Sequence, residues 1–153
     1  MTTTQHFTIR VYGLLINRLN EILLADEYWF GQPMTKFPGG GLIPGEGTID
    51  CLKREFQEEL GVEPEKIQHF YTTDFYQPTA LISPPRQLIS IYYTVEVPNH
   101  SAIQVASKPF DFEYREGAMA FRWLPLDQLT PEHLTFPIDK IVAGMIKNGE
   151  HTG

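Results

Sequence analysis

Five side chains between Gly40 and Val62 have the types and spacing to do chemistry: Glu46, Arg54, Glu55, Glu58 and Glu59. They stand in the stretch GGLIPGEGTIDCLKREFQEELGV, a glycine-rich loop running into a carboxylate-rich segment. With a helix predicted over 49–60, Ile49, Leu52, Phe56 and Leu60 fall within a sector of about 80° on the helical wheel. Glu55, Glu58 and Glu59 fall in a neighbouring sector about 100° wide, beside the apolar stripe. Carboxylates three and four apart repel each other, and here they crowd the end of the helix where the dipole disfavours anions. A cation relieves both penalties. Clustered oxygen donors suit Mg²⁺ or Mn²⁺, which keep several waters and bind substrate phosphates as well. Zinc is disfavoured by the lack of nearby cysteine or histidine ligands. Arg54 is placed to pair with Glu46 or Glu55 and so to orient a carboxylate. The Gly40 loop can turn a backbone carbonyl toward the metal and lets a phosphate approach closely. The chemistry expected is therefore a divalent cation held against a diphosphate. The competing reading of REFQEEL alone is a solvated acidic helix face.

These residues need a scaffold. Thr8–Ile16 and Glu21–Asp26 read as strands joined by the turn Asn17–Asn20, which predicts a hairpin. Residues 27–36 read as a loop carrying Tyr28, Trp29 and Phe30, and Gly39–Gly41 as part of the glycine loop. Thr48 is a candidate N-cap and Gly61 the stop of the central helix. Further strands are expected at Ile67–Tyr76, Gln87–Val97 and Ala118–Leu124. Loops fall at 77–86 and 98–116, and a short helical piece at Asp127–Leu134. Pro137–Lys147 reads as a closing helix, with Ile138, Ile141, Val142, Met145 and Ile146 at helical spacing. Strands outnumber βαβ units, so the expected architecture is α/β with a mixed sheet and helices on both faces. One domain is expected over 7–147, with disordered ends at 1–6 and 148–153.

The 153 residues are ordinary in composition, 42% hydrophobic and 20% charged, as expected of a globular chain. A formal net charge of −7 argues against a general nucleic-acid or anionic-membrane binder but leaves room for a small phosphorylated ligand beside bound cations. The single cysteine, Cys51, excludes an internal disulfide and reads as inert packing. With no secretory signal or membrane-length apolar run, the expected location is the cytoplasm, with no membrane partner.

The segment from Gly40 to Val62 resembles the signature of the Nudix hydrolases, G-x5-E-x7-R-E-U-x-E-E-x-G-U, where U is a bulky apolar residue. Gly40, Glu46, Arg54, Glu55, Phe56, Glu58, Glu59, Gly61 and Val62 fill every defined position. Phe37–Gly41 is similar to the family's lead-in, and Arg122–Leu129 to a late strand-to-helix segment. The resemblance implies a Nudix-like α/β/α sandwich and Mg²⁺- or Mn²⁺-dependent attack of water on a diphosphate linked to another moiety. By matching positions, Glu58 and Glu59 become metal ligands, Glu55 a ligand or the water-activating base, and the Gly40 carbonyl a further ligand. Arg54 orients the glutamates and Glu46 supports it. The base can also come from a later loop, where Glu113 and Glu116 are the candidates. Two positions depart from the common pattern: Ile43 stands where many members carry an accessory Glu, and Thr35 where many carry Trp.

The group beyond the diphosphate is less legible. The offset of Pro78 from Val62 is similar to that of a proline associated with ADP-ribose hydrolases in this family. Trp29 and Tyr76 are candidates to stack on a base or ribose, and Arg86 and Glu116 to contact substrate. Arg115 and Arg122 are further candidates for phosphate contact. The expected ligand is a small nucleotide: ADP-ribose or a sugar nucleotide first, a nucleoside triphosphate second. A non-catalytic sensor comes third. A homodimer that completes the pocket is compatible with the sequence.

Overall fold

The computed structural model describes residues 6–149. Two sheets lie between two helices. The first holds β1 (Phe7–Leu15), β4 (Gly39–Gly41), β6 (Gln87–Glu96) and β5 (Glu65–Thr72) in the order β4-β1-β6-β5. The second holds β2 (Glu21–Trp29), β3 (Gln32–Lys36) and β7 (Met119–Pro125) in the order β3-β2-β7. Only β1 and β6 run parallel, in register from Phe7↔Gln87 to Leu15↔Val95; the other pairings are antiparallel. This is the mixed α/β architecture expected.

Alternation along the strands feeds two cores. Val11 and Leu15 of β1, with Leu23 and Ala25 of β2, pack under helix α1 (Thr48–Leu60). Tyr12, Leu14, Ile22 and Leu24 face helix α2 (Pro137–Lys147). The α2 boundaries match the sequence reading, because Pro137 fixes its first turn and the apolar period is unbroken.

Several expectations are corrected. The β1–β2 hairpin ladder does not form: the two strands belong to different sheets, and past the turn they share only the isolated bridge Ile16↔Ile22 while their side chains pack in the cores. The segment 27–36 is a hairpin rather than a loop. Strand β2 runs on to Trp29, and Phe30 and Gly31, at φ 55° and 74°, form the two-residue turn to Gln32. Positive φ at both turn positions matches the twist of the flanking strands, and Phe30-Gly31 lacks the usual Asn-Gly signature. Gly39–Gly41 is an edge strand on β1, not an irregular loop. Strand β5 ends at Thr72, before the predicted Tyr76.

Helix α1 begins at Thr48, with Gly47 rather than Thr48 as its cap. The Thr48 hydroxyl instead meets the Tyr93 hydroxyl at 2.6 Å, and the Asp50 carboxylate accepts the Gly47 amide at 3.2 Å. Cys51, Leu52, Phe56 and Leu60 form the buried stripe, whereas Ile49 in the first turn stays 43% exposed. Gly61 closes the helix in the left-handed conformation at φ 68°, donating to the Gln57 carbonyl. Most of the ends expected to be disordered lie outside the described residues. Within them, the His6 carbonyl accepts from Gln87 at 2.8 Å and Asn148 donates to Gly144 at 3.1 Å.

The long segment between β6 and β7 is anchored. Ile103 is buried, and Ala106 donates to the Phe121 carbonyl at 2.7 Å. The Phe110 amide donates to Asp26 Oδ2 at 3.1 Å. Asp26 is fully buried and also accepts from Arg122 Nε at 2.7 Å and Thr35 Oγ1 at 2.7 Å. Arg122, a sequence candidate for phosphate contact, is thereby committed to a buried ion pair between β2 and β7.

Candidate active site

Helix α1 packs on the sheet so closely that its carboxylates reach past the edge strand. A Cβ at Gly13 would collide with the Phe56 ring, so glycine there lets the helix down onto β1. At Gly40 a Cβ would land on the Glu55 carboxylate. A side chain at position 40 would displace the Glu55 carboxylate from its place.

Arg54 is the hub of the acidic cluster. Its Nη2 donates to Glu46 Oε1 at 2.7 Å and to the Gly41 carbonyl at 3.0 Å, and its Nε to Glu46 Oε2 at 3.0 Å. Its Nη1 donates to Glu55 Oε1 at 2.9 Å and reaches Glu58 Oε2 at 3.4 Å. Glu46 in turn accepts the Ile43 amide at 2.9 Å. These bonds hold the Glu46 carboxyl down at about 2, Arg54 first and the Ile43 amide second. One guanidinium therefore ties the loop strand β4 to helix α1 and fixes the direction of Glu55.

Glu59 receives no such support. Burial, then the nearby charge of Glu55 and that of Glu27, push its carboxyl up to about 8. Glu58 is largely exposed, with 59% of its side chain accessible. Among the described residues no three His, Cys, Asp or Glu side chains are already gathered to hold an ion. The donor set still fits a hard divalent cation: oxygen only, crowded, and short of positive charge at Glu59. Mg²⁺ and Mn²⁺ sites of this type are completed by waters and substrate phosphates.

The acidic edge opens into a cavity of about 480 Å³. Glu55, Glu59 and Gly40 stand on its wall, as does Trp29. Arg86, Tyr76 and Glu116 do not line it. Arg86 is exposed, its amide bonded to Thr79 Oγ1 at 2.9 Å across the proline-rich loop. Tyr76 is 56% exposed. The Glu116 carboxylate accepts the Phe30 amide at 2.7 Å and the Gly31 amide at 3.0 Å, tying down the β2–β3 turn. Glu113, the other late-loop candidate for the base, is also absent from the cavity lining.

Sequence reasoning missed most of the cavity's polar wall. Strand β1 contributes Thr8, Arg10 and Tyr12; β6, paired in register, contributes Ser90 and Tyr92. The signal was polar residues alternating with apolar ones at the start of the strand, Thr8, Arg10 and Tyr12 against Ile9 and Val11. The hairpin adds Glu27 and Lys36, 3.3 Å apart, and the Trp29 indole donates to Glu27 at 2.8 Å. From α2 comes Asp139, buried and accepting the Tyr92 hydroxyl. Burial raises the Asp139 carboxyl to about 6. Cys51 is buried and its thiol is pushed up to about 12, chiefly by burial, so it is unreactive packing as expected.

Comparison with known proteins agrees with this geometry. The RNA pyrophosphohydrolase of Shewanella pealeana is 33% identical over 73 residues, covering 48% of this chain and 41% of that protein. The Shewanella frigidimarina protein of the same description matches equally, so the chain matches less than half the length of either relative. A NUDIX hydrolase from Nitrosomonas europaea superposes with a TM-score of 0.67 at 18% identity, covering 94% of this chain and 90% of that one. A structure described as MutT, from work on Aliivibrio salmonicida and Vibrio cholerae, gives 0.63 at 22% identity, covering 94% and 98%. At these identities the structural likeness speaks for the fold. The profile of the NUDIX domain matches residues 6–145, nearly the whole chain and all of the acidic site, and the chain belongs to the NUDIX domain family.

Proposed function

We propose that this chain is a pyrophosphohydrolase that cleaves a phosphoanhydride bond in a nucleoside diphosphate joined to another moiety, ADP-ribose or a sugar nucleotide being the leading substrates. The observation that carries the reading is the Arg54-wired carboxylate edge opening directly into a cavity of nucleotide size. Glu55, Glu58 and Glu59, with the Gly40 carbonyl, are the residues that would hold Mg²⁺ or Mn²⁺. The ion supplies neutralisation of the diphosphate charge and a lower pKa for the attacking water. The protein's own groups do the rest. Arg54 fixes Glu55, and Glu46 fixes Arg54. Glu55, on the cavity wall, would take the proton from the attacking water; Glu116 is bonded to the Phe30 and Gly31 amides and Glu113 does not line the cavity. Trp29 offers its ring to the nucleoside at the cavity wall.

A second reading, a triphosphate terminus that loses pyrophosphate, is favoured by the described activity of the Shewanella relatives. Product analysis on a panel separates the two: ADP-ribose, sugar nucleotides, dinucleoside polyphosphates, nucleoside triphosphates and a 5′-triphosphorylated RNA, each with Mg²⁺ and with Mn²⁺. Nucleoside monophosphate plus a phosphorylated partner is expected. Pyrophosphate release from triphosphates alone selects the second reading, and tight binding with no turnover on any substrate overturns both.

A further inference from the structure

The cavity wall carries two cationic side chains, and they are differently placed. Lys36 is committed to Glu27 at 3.3 Å. Arg10 has no acid partner: among the described residues its guanidinium bonds to the Tyr12 hydroxyl, Nε to Oη at 2.7 Å, and lies 5.5 Å from that ring's centre. Burial pushes the Tyr12 phenol up to about 12, so this partner is a neutral acceptor and supplies no counter-charge. Glu27, Asp139 and Glu59 attract Arg10 through space without forming an ion pair with it. Arg10 is half-buried, and a cation partly withdrawn from water gains from an anion that meets it. The terminal nitrogens of Arg10 are its unused donors, and the side chain lines the same cavity as Glu55 and Glu59.

The cavity, not one face of the sheet, brings this cation and the acidic edge together. Arg10 leaves β1 on the face that carries Tyr12, while Val11 and its pair Gly40 turn to the α1 face where the Glu55 carboxylate rests, and the cavity at the glycine edge strand is lined from both faces. The planar fork of arginine matches two oxygens of one phosphate.

We propose that Arg10 is the phosphate anchor of the cavity, taking the oxygens of the substrate diphosphate that the acidic edge leaves uncovered. This rests on the diphosphate reading above. In that role it binds ligand and adds no proton transfer, so its loss should appear in KM more than in kcat.

The test uses Arg10→Met and Arg10→Lys, with inorganic pyrophosphate titrated calorimetrically in EDTA and steady-state kinetics with divalent metal. Wild type should bind pyrophosphate without metal. Arg10→Met should weaken that binding by about tenfold or more, the scale of a lost charge-assisted bidentate contact. Arg10→Lys, which keeps the charge and loses the fork, should fall between. KM for the best substrate should rise by about tenfold with kcat within a few-fold. No metal-free pyrophosphate binding by wild type, or binding by both variants within twofold of wild type, overturns the anchor. Arg10-dependent pyrophosphate binding with no turnover of any diphosphate substrate sinks the hydrolase reading and leaves the anchor standing. Turnover with binding indifferent to Arg10 does the reverse.

Discussion

Glu59 is the carboxylate whose environment is least compatible with its own charge. Its folded pKa, about 8, lies above the ordinary 4.5 because of burial and then Glu55. The folded chain therefore holds this proton more tightly than the unfolded chain does. Without metal, its effect on stability is favourable below about pH 4.5 and is lost as pH rises through 8. The melting temperature in EDTA should fall between pH 5 and 8, more in wild type than in Glu59→Gln. Asp139, raised to about 6, adds a slope of the same sign in both proteins. Divalent metal displaces the Glu59 proton, so its affinity should climb over the same range. Glu59→Gln should lower turnover by about a hundredfold or more, the scale lost with a key electrostatic group, while the fold survives. Near-normal activity in that variant would remove Glu59 from the metal set. At this scale the sequence was most legible where residue type and spacing act together. Arg54 and Glu46 pair as the spacing implied. Arg10 and Tyr12 were marked only by a short polar alternation in β1, and Glu27 and Asp139 by nothing local, because strand pairing and helix docking decide which cavity they face.

Helices were easier to read than strand pairings for a physical reason. A helix bonds within itself, so Pro137 and an apolar period were enough for α2, and Gly61 was enough to stop α1. A strand's partner is decided by the rest of the chain. That is why β1 left β2 and took β6, and why Gly39–Gly41, with no side chains to show a pattern, became a strand. The packing of α1 on β1 carries a prediction at this scale. Phe56→Ala should cost about 3–5 kcal/mol by denaturant titration, since its ring is fully buried against Gly13. Gly40→Ala should spare most of that stability and abolish turnover, because the added methyl occupies the place of the Glu55 carboxylate. Equal loss of stability in the two variants would mean that Gly40 serves packing rather than the site.

Across the molecule, the site is assembled from pieces distant in sequence and held by a few long-range polar ties. The Asp26–Arg122 pair, with Thr35 and the Phe110 amide on the same carboxylate, joins β2, β3, β7 and the long segment before β7. Asp26→Ala leaves Arg122 buried without its partner and should cost about 3–5 kcal/mol in chemical denaturation. It should also loosen the hairpin that carries Glu27, Trp29 and Lys36, raising KM. Saturating Mg²⁺ or Mn²⁺ should stabilise the whole fold by about 2.7 kcal/mol at a hundred times its Kd, read as a shift in melting temperature that Glu59→Gln abolishes. None of these ties was visible in the sequence, because each partner lies in a different element and their meeting is a property of topology.

The indole of Trp29 donates to Glu27 at the cavity wall, while the chain's other tryptophan, Trp123, stands edge-on to His100. The two fluorophores therefore sit in unlike surroundings, and Trp123 is not among the cavity residues. Emission from Trp29 is tuned by the carboxylate at its N–H and by whatever stacks on its ring. The protein thus carries a built-in optical gauge of cavity occupancy: in a Trp123→Phe background, ligand titration should change the intensity or wavelength of a single tryptophan, with no label attached.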